Sequence, residues 1–225
     1  TYFPDNASLQ YTATEHAVRI IQPLEPHTQL QKEIELTPGD DDSSVVVTHY
    51  LRNASPWAIN AAPWALTVMP EHTVGILPAP PRGSHEGNLL PTHTLSLWAY
   101  TNMADSRWAW GERVIMLTQT PGSATPQKIG INSPVGWVAG WAHATLLVKQ
   151  VEYVPGATYP NMNVNLELFT NSEMLELETL APLRDIPPGE TAIHRERWRF
   201  FGQVPPLTSP KVAEEVLGGY GLLEK

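Results

Sequence analysis

Cysteine is absent from the 225 residues of the sequence, and long apolar runs are absent as well. Disulfides, thiol nucleophiles and thiolate metal ligands are therefore excluded. No run approaches the roughly 20 apolar residues that span a bilayer, and no basic amphipathic helix is present. We expect a soluble protein without a membrane partner, cytoplasmic or exported after removal of a leader.

Basic residues are scarce, because 14 Lys and Arg stand against 23 Asp and Glu and give a formal net charge of −9. Binding to nucleic acid requires clustered Lys and Arg that neutralise phosphates, so a nucleic-acid partner is not expected. The eight histidines never stand two or four positions apart, which predicts no metal site. Glycine-rich phosphate loops are also lacking, and no cofactor is expected.

Proline is abundant, with 22 residues, and together with glycine and aspartate it divides the chain into short segments. Between these breaks, apolar and polar residues alternate with the period of two that is typical of half-buried strands. The segments are 16–22, 29–36, 45–51, 92–100, 112–118, 143–153, 163–168, 174–178 and 191–201. The pattern predicts an all-β fold, a large antiparallel β-sandwich that forms a single domain over residues 1–225.

One helix is predicted near the C-terminus, over residues 210–217. Ser209 is a good N-cap, Pro210 suits the first helical position, and Gly218 with Gly219 would end the helix. We expect this segment, about 209–218, to pack on the sandwich as a C-terminal strap.

Residues 163–180 carry the clearest candidate for chemistry. They predict two strands joined by a tight turn at Asn171 and Ser172. On the second strand Glu176 and Glu178 point the same way, with Cα atoms roughly 6.5–7 Å apart. In an open groove the two carboxylates would repel each other and raise the pKa of one, which would place an acid beside a base. The alternative is the solvated polar face of an amphipathic strand.

Tryptophan is the second candidate feature, with eight residues in the chain. An indole has a flat apolar face and one N–H donor, which suits stacking on a sugar ring. The alternative is that most indoles fill the core between two sheets. Trp137 follows Gly136 and Trp141 follows Gly140, so we expect these two in loops that line a cleft.

Isolated cations are the third candidate feature. Lys128 and Lys149 stand among apolar residues, where a lysine either extends its amine to solvent or is held for a ligand oxygen. Arg195, Arg197 and Arg199 alternate along one predicted strand. They could bind a phosphate or an acidic sugar, or pair with neighbouring acidic strands.

Seven stretches, spread over roughly residues 16–201, carry a family resemblance: VTHYLRN (47–53), WAINAAPWALTVM (57–69), LSLWAYT (95–101), DSR (105–107), WGER (110–113), KIG (128–130) and LELETLAPL (175–183). Together they resemble an uncharacterised bacterial family, a domain of unknown function, in the galactose mutarotase-like superfamily. The resemblance implies a β-supersandwich whose concave sheet binds a mono- or oligosaccharide.

In the epimerases of that superfamily, a Glu on a late strand is the base towards the anomeric hydroxyl, and a His is the acid towards the ring oxygen. The Glu corresponds to Glu178, with Glu176 as the second choice. The segment that carries the His corresponds to residues 62–64, Ala-Pro-Trp, where no histidine stands. The resemblance implies an isomerase of the aldose 1-epimerase type, and this sequence departs from that type at the histidine.

We expect a carbohydrate-active or carbohydrate-binding protein in which Glu178 is the base and Glu176 or Lys149 its partner. The expected substrate-binding residues are Trp64, Trp98, Arg107, Lys128, Trp137 and Lys149. Three alternatives stay open: a glycan-binding module without chemistry, a polysaccharide lyase or glycosidase on the same fold, and a structural subunit. A homo-oligomer is compatible with all of them.

Overall fold

The structure, a computed structural model, describes residues 7–223. The strands in this range are β1 (Gln10–Ala13), β2 (Val18–Ile21), β3 (Leu30–Pro38), β4 (Ser44–Asn53), β5 (Ile59–Ala61), β6 (Trp64–Met69), β7 (Val74–Pro78), β8 (Leu95–Leu97), β9 (Trp108–Trp110), β10 (Val114–Thr118), β11 (Gln127–Ile131), β12 (Trp137–Ala142), β13 (Thr145–Val151), β14 (Leu166–Thr170), β15 (Leu175–Leu180), β16 (Arg184–Ile186) and β17 (Thr191–Gly202). The helices are a single turn, α1 (Pro160–Asn163), and α2 (Pro210–Gly219). Neither is long and apolar enough to cross a membrane.

The strands pair into two sheets that face each other, and every pairing is antiparallel. The larger sheet has ten strands in the order β1-β2-β3-β4-β17-β13-β12-β7-β10-β9, and the smaller has five in the order β6-β15-β14-β11-β8. A ribbon of β5 and β16 lies beside them. The predicted all-β, antiparallel sandwich is therefore confirmed.

The main core fills the space between the sheets. The five-stranded sheet contributes Ile129, Ile131, Leu166, Leu168, Leu175 and Leu177, and the ten-stranded sheet contributes Leu77, Ile115, Leu117, Val138 and Leu147. Leu175 and Leu177 point into this core, as the alternation predicted. Because side chains alternate along a strand, Glu176 and Glu178 of β15 point to the opposite, outer face of the five-stranded sheet. The hydrophobic pattern thus decides where these carboxylates lie.

A second core covers the outer face of the ten-stranded sheet. Helix α2 packs Ala213 and Leu217 onto this face, where Trp137 is also buried. The side chain of Ser209 accepts a hydrogen bond from the Val212 amide, and Pro210 begins the helix. The predicted C-terminal helix and its packing on the sandwich are confirmed.

The expectation that Gly136-Trp137 and Gly140-Trp141 lie in loops is wrong, since both indoles belong to β12. Gly136 does occupy a turn, with φ +67, where an added Cβ would lie 2.3 Å from the Val151 carbonyl oxygen. Gly140 instead lies within the strand and lets the sheets approach closely, because its Cβ would meet the Leu177 side chain at 3.0 Å. Gly140 is thus required by the close packing of the two sheets and Gly136 by a tight turn, so neither glycine marks an open cleft.

Leu217→Ala should lower the free energy of unfolding by about 2–5 kcal/mol, because it leaves a cavity under α2. Glu215→Ala, on the exposed side of the same helix, should change it by less than about 0.5 kcal/mol. Urea denaturation of the two variants measures both. Equal losses would contradict the packing of α2 on the second core.

Candidate functional site

The β14–β15 hairpin brings two glutamates side by side on the outer face of the five-stranded sheet. In its register Glu167 lies opposite Glu178, and Phe169 lies opposite Glu176. The turn between the strands is held by Asn171, whose side-chain oxygen accepts hydrogen bonds from the amides of Glu173 and Met174. The carboxylate nearest to Glu178 across the hairpin therefore comes from the neighbouring strand.

Lys128 of β11 joins the two carboxylates. Its Nζ lies 2.7 Å from Oε2 and 2.9 Å from Oε1 of Glu178, and 2.7 Å from Oε2 of Glu167. The indole Nε1 of Trp64 donates to Oε2 of Glu178 at 2.7 Å. These four residues and Trp98 form what we call the Glu178 cluster.

The two indoles of the cluster lie against its ammonium group. The Lys128 ammonium lies 5.0 Å from the ring centroid of Trp64 and 4.7 Å from that of Trp98, both within cation–π range. Glu167 and Glu178 are fully buried, whereas the indoles are partly exposed. A molecule that approaches this face therefore meets aromatic surface before it meets charge.

The cluster holds two carboxyl groups and a single ammonium group away from water. With both carboxylates ionised its net charge is −1, and burial favours the neutral state in which one proton is retained. Burial raises the pKa of Glu178 to about 8, opposed by Lys128 and reinforced by the neighbouring Glu167. Burial acts against the charge of Lys128, but the two carboxylates outweigh it and raise its pKa.

Glu176, the second predicted catalytic residue, lies at the margin of this face. It is partly exposed, and burial raises its pKa while the charge of Lys128 works in the opposite direction. The pair that shares one cation is thus Glu167 with Glu178. Such a pair can donate one proton and accept another, as acid–base catalysis requires.

A second ionic cluster lies between the sheets, directly behind the first. Lys149 of β13 is fully buried. Its Nζ contacts Oε1 of Glu196 at 2.9 Å and donates to the carbonyl oxygens of Leu177 at 3.1 Å and Ala65 at 3.4 Å. All three ammonium hydrogens are therefore used inside the protein.

Glu196 is equally well bonded. It accepts hydrogen bonds from Thr179 and from Trp198 Nε1 at 2.9 Å, and His49 Nε2 lies 3.0 Å from its Oε2. Burial acts to raise its pKa, but Lys149 and these hydrogen bonds outweigh burial and lower it strongly. Burial lowers the pKa of the adjacent His194 to about 4. Burial lowers the pKa of Lys149, and the charge of Glu196 works in the opposite direction. The cluster is saturated with hydrogen bonds, which indicates a structural role.

Of the predicted site residues, the structure brings together Glu178, Trp64, Trp98 and Lys128. Lys149 lies behind them in the core. Trp137 lies on the far side of the ten-stranded sheet, where its Nε1 donates to the Leu222 carbonyl at 3.1 Å. A ligand on the Glu178 face would reach neither of these two side chains.

Arg107 is also held by neighbours away from the Glu178 cluster. Its guanidinium pairs with both carboxylate oxygens of Asp105 at 2.9 Å and donates to the Thr125 carbonyl at 2.6 Å. It lines a cavity of about 500 Å³ with Ser106, Thr120 and Ser123. A second cavity, of about 540 Å³, lies beside the β1–β2 connection and the 38–45 segment.

Glu167 was not among the site residues predicted from the sequence, although a signal for it existed. The turn of the hairpin was predicted at Asn171 and Ser172. A turn one residue later along the chain places Glu167 opposite Glu178, which is the register in the structure. No local pattern marks Lys128 as the shared cation, because it comes from a strand about forty residues earlier in the chain. Among residues 7–223 no group of three or more His, Asp or Glu side chains could hold a metal ion.

No protein-family model matches the chain, and no curated protein matches it in sequence. Solved structures do match. One is a candidate aldose 1-epimerase from Klebsiella pneumoniae, with a TM-score of 0.57 and 12% identity over 96% of this chain and 58% of that one. Another is a TPR-domain containing protein from Parabacteroides distasonis, with a TM-score of 0.52 and 14% identity over 88% of this chain and 35% of that one.

A galactose mutarotase related enzyme from Lactobacillus acidophilus also aligns, with a TM-score of 0.49 and 7% identity over 88% of this chain and 73% of that one. The chain thus spans about a third of the length of the Parabacteroides protein and somewhat over half of the Klebsiella one. At such identities the likeness concerns the fold alone. The chain shares the fold of its β-sandwich with the candidate aldose 1-epimerase from Klebsiella pneumoniae.

The raised pKa of Glu178 predicts a pH dependence of stability. The folded protein retains this proton up to about pH 8, whereas an unfolded Glu releases it near its ordinary pKa of about 4.3. Between these two pKa values the folded state binds more protons, so the free energy of unfolding should fall as the pH rises from about 4.3 to about 8, by at most about 1.4 kcal/mol per pH unit.

Glu178→Gln removes the titrating group and should flatten this part of the profile, while Glu173→Gln, in the exposed turn, should leave it as in the wild type. Urea denaturation at several pH values gives the free energy of unfolding of each variant relative to the wild type. Contributions of the histidines cancel in this difference, because all the proteins compared contain the same histidines. A Glu178→Gln profile parallel to that of the wild type would show that Glu178 is ionised throughout.

Proposed function

We propose that the Glu178 cluster is a carbohydrate site, and that Glu178 and Glu167 perform acid–base chemistry of the mutarotase type on the bound sugar. The observation that carries the proposal is a pair of buried carboxyls that share one ammonium beneath two indoles. Sugar sites combine aromatic faces with a few well-placed polar groups in this way.

The proposed reaction uses the proton that the pair retains. The ionised carboxylate takes the proton of the anomeric hydroxyl while the carboxylic acid protonates the ring oxygen, and the bond between C1 and the ring oxygen breaks. Rotation about the C1–C2 bond of the open-chain aldehyde, followed by the reverse transfers, closes the ring as the other anomer. The pair ends as it began, with one proton, so no further acid or base is consumed.

The pair of Glu167 and Glu178 provides the acid for which the mutarotase-like segment of this sequence has no histidine. Residues 62–64 carry no histidine, and Trp64 instead donates a hydrogen bond to Glu178. The second carboxyl, Glu167, takes over the function of a separate acid–base partner. Lys128 balances the charge of the pair and does not exchange protons, because its pKa is raised.

Access to the carboxyls involves the indoles. Glu178 is fully buried, so a sugar must first move the ring of Trp64 or Trp98 away from the Lys128 ammonium. The sugar then stacks on that indole ring. Leu66 and Val68 of β6, on the same face, are 42% and 61% exposed. They provide apolar surface for the C–H groups of a sugar next to the indoles.

A second candidate function is glycan binding without chemistry. The same full burial of Glu178 favours it, because stacking on the outer indoles does not require the carboxyls to be uncovered. A polysaccharide lyase fits less well, because it needs a cation for a uronate. Lys128 is already shared by two carboxylates, and Arg197 of the arginine stripe pairs with Asp40 and Asp41.

Glycosidase chemistry also fits less well. Two-carboxylate hydrolases place their acid and their base or nucleophile on either side of the scissile bond, whereas Glu167 and Glu178 project side by side from adjacent strands. We further propose that the chain belongs to the uncharacterised mutarotase-like family that its seven sequence stretches resemble, which is consistent with its fold.

Glu178→Gln should reduce anomer interconversion by at least about 100-fold, because one proton-transfer group is lost. Glu167→Gln should do the same, whereas Glu176→Gln should retain activity near that of the wild type. The assay follows freshly dissolved single anomers of neutral aldoses by NMR or polarimetry. Loss of activity in Glu176→Gln and Glu178→Gln but not in Glu167→Gln would move the chemistry to the pair on β15, and unchanged turnover in Glu178→Gln would refute the catalytic assignment.

Trp98→Ala should weaken sugar binding about tenfold, since a stacking face is removed. Trp110→Ala is the control, because Trp110 also reaches the surface, at 42% exposed, but lies in the edge strand β9 of the ten-stranded sheet. Calorimetric titration with monosaccharides and short oligosaccharides compares them. Equal affinities in the two variants would remove the Glu178 face from carbohydrate binding.

A further inference from the structure

The loop that follows β8 carries Trp98, and its attachment to the sheet has no part in the reaction as described. Strand β8 has three residues and lies at the edge of the five-stranded sheet, where it pairs with β11. Few backbone hydrogen bonds therefore hold the chain at the point where Trp98 leaves the sheet. The position of this indole depends on contacts that the loop itself makes.

The residues after Trp98 are bonded to the first two residues of β11. The Thr101 amide donates to the Trp98 carbonyl at 2.9 Å and closes a turn, and the Thr101 hydroxyl donates to the Lys128 carbonyl. The next amide, that of Asn102, donates to the side-chain oxygen of Gln127 at 2.8 Å. The turn that bears Trp98 is thus attached to Lys128 and Gln127 at adjacent points.

The side chain of Gln127 is fully buried and binds both ends of this loop. Besides the Asn102 amide, its Oε1 accepts the indole N–H of Trp108 at 3.2 Å. Trp108 begins β9 and packs in the main core between the sheets. Because a carbonyl oxygen has two lone pairs, this one atom joins the Trp98 turn to the strand with which the loop ends.

Gln127 and Lys128 are consecutive residues of β11, so their side chains point to opposite faces of the sheet. Lys128 meets the two carboxyls and the ring of Trp98 on the outer face. Gln127 meets Trp108 on the core side. The strand therefore presents the cation with one residue and, with the next, holds the loop whose indole lies 4.7 Å from that cation.

We propose that Gln127 is a positioning residue of the carbohydrate site. It holds the backbone of the loop at the edge of the Glu178 cluster, so that the Trp98 indole stays within reach of the site when its ring turns to admit a sugar. Such preorganisation contributes to affinity. The inference rests on the proposed function, because it names a residue that acts on the bound sugar only through Trp98.

Gln127→Leu removes the shared acceptor oxygen and keeps a side chain of similar size, whereas Gln127→Glu keeps an acceptor oxygen. The matched control is Gln119→Leu. Gln119 is also buried and its Oε1 also accepts a backbone amide, that of His72 at 2.7 Å, but its Nε2 donates to Asn171 and not to the loop. Thermal denaturation checks that the variants are folded. Gln127→Asn, whose oxygen is withdrawn by one methylene group, replaces Gln127→Leu if that variant does not fold.

Fluorine NMR of protein labelled with fluorinated tryptophan measures the position of Trp98, and Trp98→Phe identifies its signal. In Gln127→Leu we expect this signal to shift or broaden, because the ring is displaced from the ammonium group. It should keep its wild-type position in Gln127→Glu and in Gln119→Leu. An unchanged Trp98 signal in Gln127→Leu would overturn the proposal, and so would an equal shift in Gln119→Leu.

Calorimetric titration with monosaccharides and short oligosaccharides is the second measurement. Gln127→Leu should weaken sugar binding about tenfold, as Trp98→Ala should, while Gln127→Glu should bind as the wild type does. Because Gln127 acts through Trp98, the double variant Gln127→Leu/Trp98→Ala should bind as weakly as Trp98→Ala alone. Losses that multiply in the double variant would overturn the proposal, since Gln127 would then act independently of Trp98.

The two measurements separate this inference from the function on which it rests. If the Trp98 signal shifts in Gln127→Leu but the wild type binds no sugar, Gln127 positions the loop and the carbohydrate function fails. If the wild type binds sugar and Gln127→Leu binds it with equal affinity, the function stands and the role of Gln127 fails.

Discussion

The ion pair between Lys149 and Glu196 is the interaction on which the arrangement of the site depends. It lies between the two sheets, and the same ammonium binds the backbone carbonyls of Ala65 and Leu177. These carbonyls belong to β6 and β15, the strands that present Trp64 and Glu178 on the reverse face of the sheet. Removing one partner would leave an uncompensated buried charge, so this pair holds the two strands in place.

The protein thus contains two buried ionic clusters of similar residue types. They differ in how many cations and hydrogen-bond donors stand against each carboxylate. Around Glu196, a cation and several hydrogen-bond donors meet a single carboxylate, and its pKa is lowered. Around Glu178, two carboxyls compete for one cation, and burial raises the pKa of Glu178 to about 8. The first cluster is satisfied by its hydrogen bonds, whereas burial in the second favours the protonated form of Glu178. The difference lies in the count of charges and donors and not in the residue types.

Much of the fold followed from local patterns. Alternation along 174–178 predicted that Leu175 and Leu177 face the core, and the same alternation sent Glu176 and Glu178 to the other side. Ser209 and Pro210 predicted the start of α2 because capping is a local interaction. Gly140 of β12 was predicted to lie in a loop, and this was wrong. A flexible loop and a closely packed facing sheet both favour glycine, and the sequence alone does not distinguish the two causes.

The sequence by itself determined the class of fold, the C-terminal helix, the face on which Glu178 stands and many of the strands, though not β6, β7, β11 or β12. Each of the features it determined depends on residues a few positions apart. Only the tertiary structure decided the partners of Glu178. Glu167, Lys128 and Trp64 come from three other strands, and their meeting depends on strand order and on a hairpin register, where one residue of slip moves every side chain to the opposite face. Lys128 and Lys149 look alike in sequence, and only the sheets around them assign one to the outer site and the other to the core.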